Sequence, residues 1–521
     1  MTAERDRGRG AGGRRGWLLV AAVALLLTAP FLGKPFHVDD PTFLRLAEGA
    51  ARDPWRPHAI EINWIGTTRP AFEVLSNPPG LAWWLAPVRS GPEWRVHLWI
   101  GVWLVPLLWG ARRLGDELAG DGLGLALLLV SSPIVALAAQ SAMPDLPLLA
   151  CTAAGLGGFL TARRHSWIWA LVAGGSVLFR YSGLCVVLLV LLAGIQRGRW
   201  RPALAALAAP LALALHDGLA YGSLHLLSAA EFQRPAISAW PAFRRGAAAI
   251  AMLGGAGILP VLAWKGRVAW ACAAGGAGLG LGTALLSGHD AFQLATTVVH
   301  MVAGAVTLGA LRWGARDDRF VLAWGLGGLA FLLLPLFAAT RYWLPFLPAL
   351  ALAGLRLAPT RRRLATAVAL QASVALGVSI DDFRLARAYR DAAAEVAALG
   401  PGTVAGHWGF QHYLERAGWK PLEAGRAPAT ERLAVAWQPW PQPPAPGSCP
   451  DVERTIELPD RFPGPRVLTA RGAANVHSYL IAPVPPRETL VRSYAPWSFS
   501  NEPYDRVLVL RCGRSGRPAA P

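Results

Sequence analysis

His37-Val38-Asp39-Asp40-Pro41 sets two adjacent carboxylates immediately after the first apolar segment of the chain. Charge beside a bilayer is costly to keep, so carboxylates there are candidates for chemistry, and acid–base work is the chemistry that suits them. Asp40-Pro41 also reads as a helix start, with Asp at the N-cap, Pro at the first helical position, and Phe43, Leu44, Ala47 and Ala51 as an apolar stripe. A cap accounts for Asp40 and leaves Asp39 without a structural duty. The same loop continues through Glu61-Ile62-Asn63-Trp64, Arg69-Pro70 and Ser76-Asn77-Pro78-Pro79-Gly80 into Leu81-Ala82-Trp83-Trp84-Leu85. Its double proline fixes the backbone where the chain re-enters the interface, and Trp83 and Trp84 suit an aromatic belt better than catalysis.

The elements that must position these residues are membrane helices. Of the 521 residues, 54% are hydrophobic and only 16% charged, which is too apolar for a soluble chain of this size. The first apolar segment, Trp17 to Gly33, follows a tail with Arg5, Arg7, Arg9, Arg14 and Arg15 and reaches Lys34 without a small-residue cleavage site, so a retained helix is expected. The net charge of +18 comes mainly from short clusters between apolar runs: Arg112-Arg113, Arg163-Arg164, Arg197 to Arg201, Lys265 to Arg267, Arg312 to Arg319 and Arg361-Arg362-Arg363. Such spacing marks cytoplasmic turns and argues against nucleic-acid binding.

With each cluster as a turn, spans are expected near 17–33, 96–111, 122–140, 146–162, 166–179, 183–196, 202–216, 246–264, 268–286, 291–311, 320–339, 342–357 and 364–380. The segments flanking Arg180-Tyr181 are short for a bilayer and predict a hairpin whose tip sinks below the outer surface. The fold class is therefore an α-helical polytopic membrane protein of about 11–13 helices with a C-terminal extracytoplasmic α+β domain. Residues 1–16 form a basic cytoplasmic tail, 17–380 the membrane domain with a large outer loop at 34–95, and 381–521 the outer domain. Within that domain, 437–450 is a proline-rich connection and Arg506-Val507-Leu508-Val509-Leu510 alternates like a strand. Cys449 and Cys512 both fall there, where oxidising conditions permit a disulfide, whereas Cys151, Cys185 and Cys272 fall in spans as packing residues. His37, His58, His216, His289 and His407 match no metal-ligand spacing, so neither a metal nor another cofactor is expected. The aromatic run Trp408 to Tyr413 reads as core at a strand-to-helix junction.

Four motifs, in order and all expected on the outer side, resemble the GT-C glycosyltransferases of the family 39 and ArnT type. Val38-Asp39-Asp40-Pro41 followed by Asn77-Pro78-Pro79-Gly80 resembles their first outer loop, and Ala142-Met143-Pro144-Asp145-Leu146-Pro147 their second acidic motif. Leu178-Phe179-Arg180-Tyr181-Ser182-Gly183 resembles their hairpin tip, and Thr340-Arg341-Tyr342-Trp343-Leu344-Pro345 their Arg-Tyr-x-x-Pro lead-in to a late helix. Asp40 stands where many members have Glu, Asn77 where His or Lys precedes the prolines, and Arg180 where Lys is common.

The resemblance implies an inverting transfer of a sugar from a polyprenyl-phosphate donor to a lipid, glycan or protein acceptor, by a multi-pass protein of the bacterial inner (plasma) membrane with a cytoplasmic N-terminus. Asp39 and Asp40 are the expected catalytic pair, with Asp39 as base and Asp40 holding the acceptor or capping the loop helix. Asp145, Asn77 and Arg69 are expected to orient acceptor or donor. Arg180, Tyr181, Arg341 and Tyr342 are expected to hold the lipid phosphate, although an arginine at a helix end also snorkels to membrane lipids. A lipid-linked sugar flippase, or a noncatalytic subunit on the same scaffold, is the alternative. Against a transporter stand the gathering of polar residues at outer ends and the absence of similarity between the two halves.

Overall fold

The computed structural model describes residues 3–513 apart from 65, 163, 234–238, 258, 287, 336, 358, 460–461, 470–473, 478 and 481–493. Arg163 of the basic clusters and parts of the expected outer domain therefore lie outside the described residues. Among the described residues, five helices are long and apolar enough to cross a membrane: Arg14–Phe31, Trp200–Tyr221, Gly266–Leu286, Ala291–Leu308 and Arg361–Ala397. Shorter apolar helices Asp145–Thr161, Ser166–Leu178 and Gly183–Gln196 pack among them.

Other expected spans are interrupted for local reasons. The run at 122–140 forms two helices, Gly122–Val130 and Pro133–Ala139, bent by 67°. Pro133 has no N–H to continue the first helix, and it holds Ser132 extended at φ −66°, ψ 133°. The run at 96–111 divides into Glu93–Gly101 and Leu104–Leu118. The run at 342–357 opens as a 3₁₀ segment, Thr340–Phe346, before the helix Leu347–Arg356. The final span differs in the other direction: Arg361–Ala397 is continuous for 37 residues, so the boundary expected at 380/381 falls inside a helix.

The basic clusters converge on one end of the bundle. Arg197 bridges Glu117 and Asp317, Arg356 pairs with Asp318, and Arg199 donates to the carbonyls of Phe159 and Ala162. Asp145 begins the helix that Thr161 ends, so 17 residues, or about 25 Å of helix rise, separate it from that basic end.

Beyond Ala397 the chain builds a five-stranded sheet in the order Lys420–Pro421, Thr403–Ala405, Arg432–Ala436, Asp505–Arg511, Asp451–Leu458. The first three strands are parallel, and helix Trp408–Arg416 makes the crossover between Thr403–Ala405 and Lys420–Pro421. Asp505–Arg511, the strand expected from the alternating run at 506–510, pairs antiparallel with its two neighbours. Cys449 and Cys512 are bridged across a separation of 63 residues. Trp408 and Phe410 are buried, in keeping with the core reading of that aromatic run.

Candidate active site

Asp39, Asp145, Arg180, Arg341 and Tyr342 come together at the end of the bundle opposite the basic clusters. Asp39 Oδ2 accepts from Arg341 Nη2 at 2.9 Å. Arg341 Nε lies 3.8 Å from Asp145 Oδ2, and Asp145 Oδ1 accepts from Arg180 Nη1 at 2.5 Å. Carboxylate and guanidinium thus alternate four times, and the formal charges cancel. The ring of Tyr342 lies against both cations, its centroid 4.6 Å from the Arg180 guanidinium carbon and 5.8 Å from that of Arg341. Asp145 is 2% exposed while Asp39 is 20% exposed, so Asp39 is the carboxylate a substrate can reach.

The local backbone explains how Asp39 is presented. Val38 sits at φ +52°, a left-handed conformation that costs a β-branched residue about 1–3 kcal/mol. The fold holds it there by burying Val38 and by tying down Asp40 two residues later. Asp40 is fully buried: its Oδ2 accepts from the His37 N–H at 3.1 Å and its Oδ1 from the Ala142 N–H at 2.8 Å. Asp40 is also the first residue of helix Asp40–Arg52, with Asp39 at the N-cap position and no side-chain cap bond. The N-cap expected at Asp40 is therefore absent; its carboxylate points back and across, strapping the loop to the segment that carries Asp145. Burial pushes the Asp40 carboxyl up to about 7 and holds His37 well below its ordinary value, so His37 is neutral.

The remaining expected residues sit elsewhere. Tyr181 is turned away from the cluster, its hydroxyl 2.8 Å from His225 Nδ1. His225 Nε2 in turn contacts the Leu75 carbonyl at 2.6 Å, and the Asn77 carbonyl contacts His58 Nε2 at 2.9 Å. Tyr181 thus joins the hairpin tip to the first loop through His225, as does Gly80, where a Cβ would run into the Leu178 carbonyl oxygen, while Asn77 makes its contact within the loop. Arg69 is exposed beside Glu73 and does not enter the cluster.

A second acidic pair stands behind the first. Asp381 and Asp382 are both fully buried. Asp382 Oδ2 accepts from Lys34 Nζ at 2.7 Å and Oδ1 meets His477 Nε2 at 2.8 Å. Asp381 forms an ion pair with Arg466 and accepts from the Tyr504 hydroxyl and from the Val467 N–H. The signal was available: Asp381-Asp382 follows an apolar span just as Asp39-Asp40 does. No cluster of three or more metal-ligating side chains occurs among the described residues.

No protein-family model and no curated protein matches the sequence. Solved structures do. The chain is similar to ArnT from Cupriavidus metallidurans bound to undecaprenyl phosphate, at 14% identity and a TM-score of 0.43, over 74% of this chain and 72% of that one. It is also similar to ArnT from the same organism in the apo state, at 16% identity and a TM-score of 0.36, over 77% of this chain and 85% of that one. Both are of the type that the four motifs resemble. At these values no residue role is transferred from them to this chain.

Proposed function

We propose that the protein is an inverting, integral-membrane glycosyltransferase that moves a sugar from a polyprenyl-phosphate donor to an acceptor hydroxyl on the extracytoplasmic face. The observation that carries the reading is the sharing of Arg341 between Asp39 and Asp145, with Arg180 on the same Asp145. One reachable carboxylate and two arginines within a single chain of contacts match the two needs of such a transfer.

The acceptor oxygen attacks the anomeric carbon and gives its proton to Asp39 as the bond from that carbon to the phosphate oxygen breaks. The leaving lipid phosphate is a stable anion, so it needs cations to hold it rather than a general acid, and Arg180 and Arg341 supply them. Asp40, with both oxygens committed to backbone N–H groups, positions the loop and does not touch substrate.

The test is reconstitution of the purified protein with labelled polyprenyl-phosphate sugars, with undecaprenyl phosphate as the first lipid tried, against Asp39→Asn. Transfer that requires Asp39 is expected. Transfer that survives in Asp39→Asn removes the base assignment, direct use of a nucleotide sugar removes the lipid donor, and protein-dependent lipid movement without transfer favours a flippase.

A further inference from the structure

Arg341 is held by three groups, and one of them comes from the C-terminal domain. Its Nη2 donates to Asp39, its Nε faces Asp145, and its Nη1 donates to the main-chain carbonyl of His477 at 2.9 Å. The side chain of His477 is itself anchored, Nε2 to Asp382 Oδ1 at 2.8 Å. The other oxygen of Asp382 takes Lys34 Nζ at 2.7 Å, and that ammonium also donates to Ser141 Oγ at 3.1 Å. Ser141 precedes Ala142, whose N–H is bound by Asp40. Asp382 thus reaches Arg341 on one side through His477, and on the other reaches both acidic motifs through Lys34.

We propose that Asp382 is a positioning residue of this site, acting through His477, and that the C-terminal domain completes the site by fixing Arg341 against Asp39. The inference rests on the transferase reading for its kinetic consequences only. The exposures fit a rigid device: Lys34 is 2% exposed, Asp382 0% and His477 8%. Side chains so enclosed, with a carboxylate saturated by two partners, hold one geometry. Arg341 is the part of the reactive cluster they hold, because the guanidinium plane is set once Nη1 and Nη2 are both bound.

The test uses the full-length protein in lipid nanodiscs. His477→Ala keeps the main-chain carbonyl and the Lys34–Asp382 pair but removes the anchor. Its kcat is expected to fall about 10- to 100-fold, as a displaced catalytic group does, with the donor KM within about threefold. His477→Gln, whose amide N–H reaches toward Asp382, is expected to recover most of that loss. Asp382→Asn combined with His477→Ala is expected to be no slower than the worse single variant, since both act on one path. Wild-type kcat in His477→Ala, failure of Gln to recover activity, or losses that multiply would each overturn the proposal. A second readout does not use activity. The coupling between Asp39→Asn and Arg341→Ala in thermal unfolding is expected to shrink by half or more in the His477→Ala background, and an unchanged coupling overturns the proposal. If the wild-type protein transfers no sugar, the transferase reading fails and this coupling alone decides the positioning role.

Discussion

Asp39 and Arg341, 302 positions apart in the chain, meet at 2.9 Å, and Arg341 also faces Asp145 at 3.8 Å. The base and the phosphate-holding cation of the proposed reaction are therefore held in contact by the fold.

Asp39→Asn is expected to lower kcat about 10²- to 10⁴-fold, the usual contribution of a positioned base. Arg341→Lys keeps the charge and loses the fork that spans Asp39 and His477, so kcat/KM is expected to fall at least about tenfold. Steady-state transfer in nanodiscs checks both. A lysine variant with wild-type kcat/KM would show that only charge matters at this position.

Asp145 neutralises two arginines from a site that is 2% exposed. Asp145→Asn takes the carboxylate from Arg180 and leaves Arg341 with Asp39 alone, which is expected to cost about 3–5 kcal/mol of stability, the range for removing one partner of a buried pair. Under the proposed reaction, the phosphate of undecaprenyl phosphate restores an anion to the same place. It is expected to raise the Tm of Asp145→Asn by more than it raises that of the wild type, and equal shifts would place the lipid phosphate elsewhere.

Asp40 and Asp505 give a pH dependence of defined sign. Burial raises each carboxyl from its ordinary 3.8 to about 7. Between those values the folded protein holds protons that the unfolded chain has released, so the contribution of these two groups to stability falls as pH rises from about 4 toward 7 and levels off above it, while buried histidines such as His37 contribute with the opposite sign below about 6.5. The slope approaches about 1.4 kcal/mol per pH unit for each group. Thermal unfolding from pH 5 to 8 is expected to show the Tm of the wild type falling relative to that of Asp505→Asn as pH rises. A wild-type Tm that rises relative to the variant through this window contradicts the assignment.

The Cys449–Cys512 bridge, across a separation of 63 residues, closes a loop that contains the whole of the strands Asp451–Leu458 and Asp505–Arg511. Cys449→Ser with Cys512→Ser is expected to cost about 2–4 kcal/mol. The loss should appear as a lower Tm of the variant relative to the oxidised protein without reductant, and vanish when both are reduced.

Much of this was legible without coordinates, because hydrophobicity and charge clustering are local properties of a chain. Apolar runs between arginine clusters predicted the helical bundle, the alternation at 506–510 predicted a strand, and charge beside the first apolar segment singled out Asp39. The four motifs named Asp145, Arg180, Arg341 and Tyr342 before anything was known of their contacts. The places where helices break at Ser132-Pro133 or run on through Asp381 were not legible, since one proline and one absent breaker outweigh average hydropathy there.

Only the tertiary structure decided which residues meet. Asp40 read as a cap and turned out to be a strap to Ala142, because its neighbour at Asp39 takes the cap position and a segment 102 residues away offers the better donor. Tyr181 and Arg69 fall within or beside the right motifs and face other partners. Lys34, Asp382 and His477 come from three distant segments, and no spacing rule joins them. Pairing over hundreds of residues depends on how the helices pack and how the C-terminal domain seats on them, and that is a property of the assembled fold and not of any window of sequence.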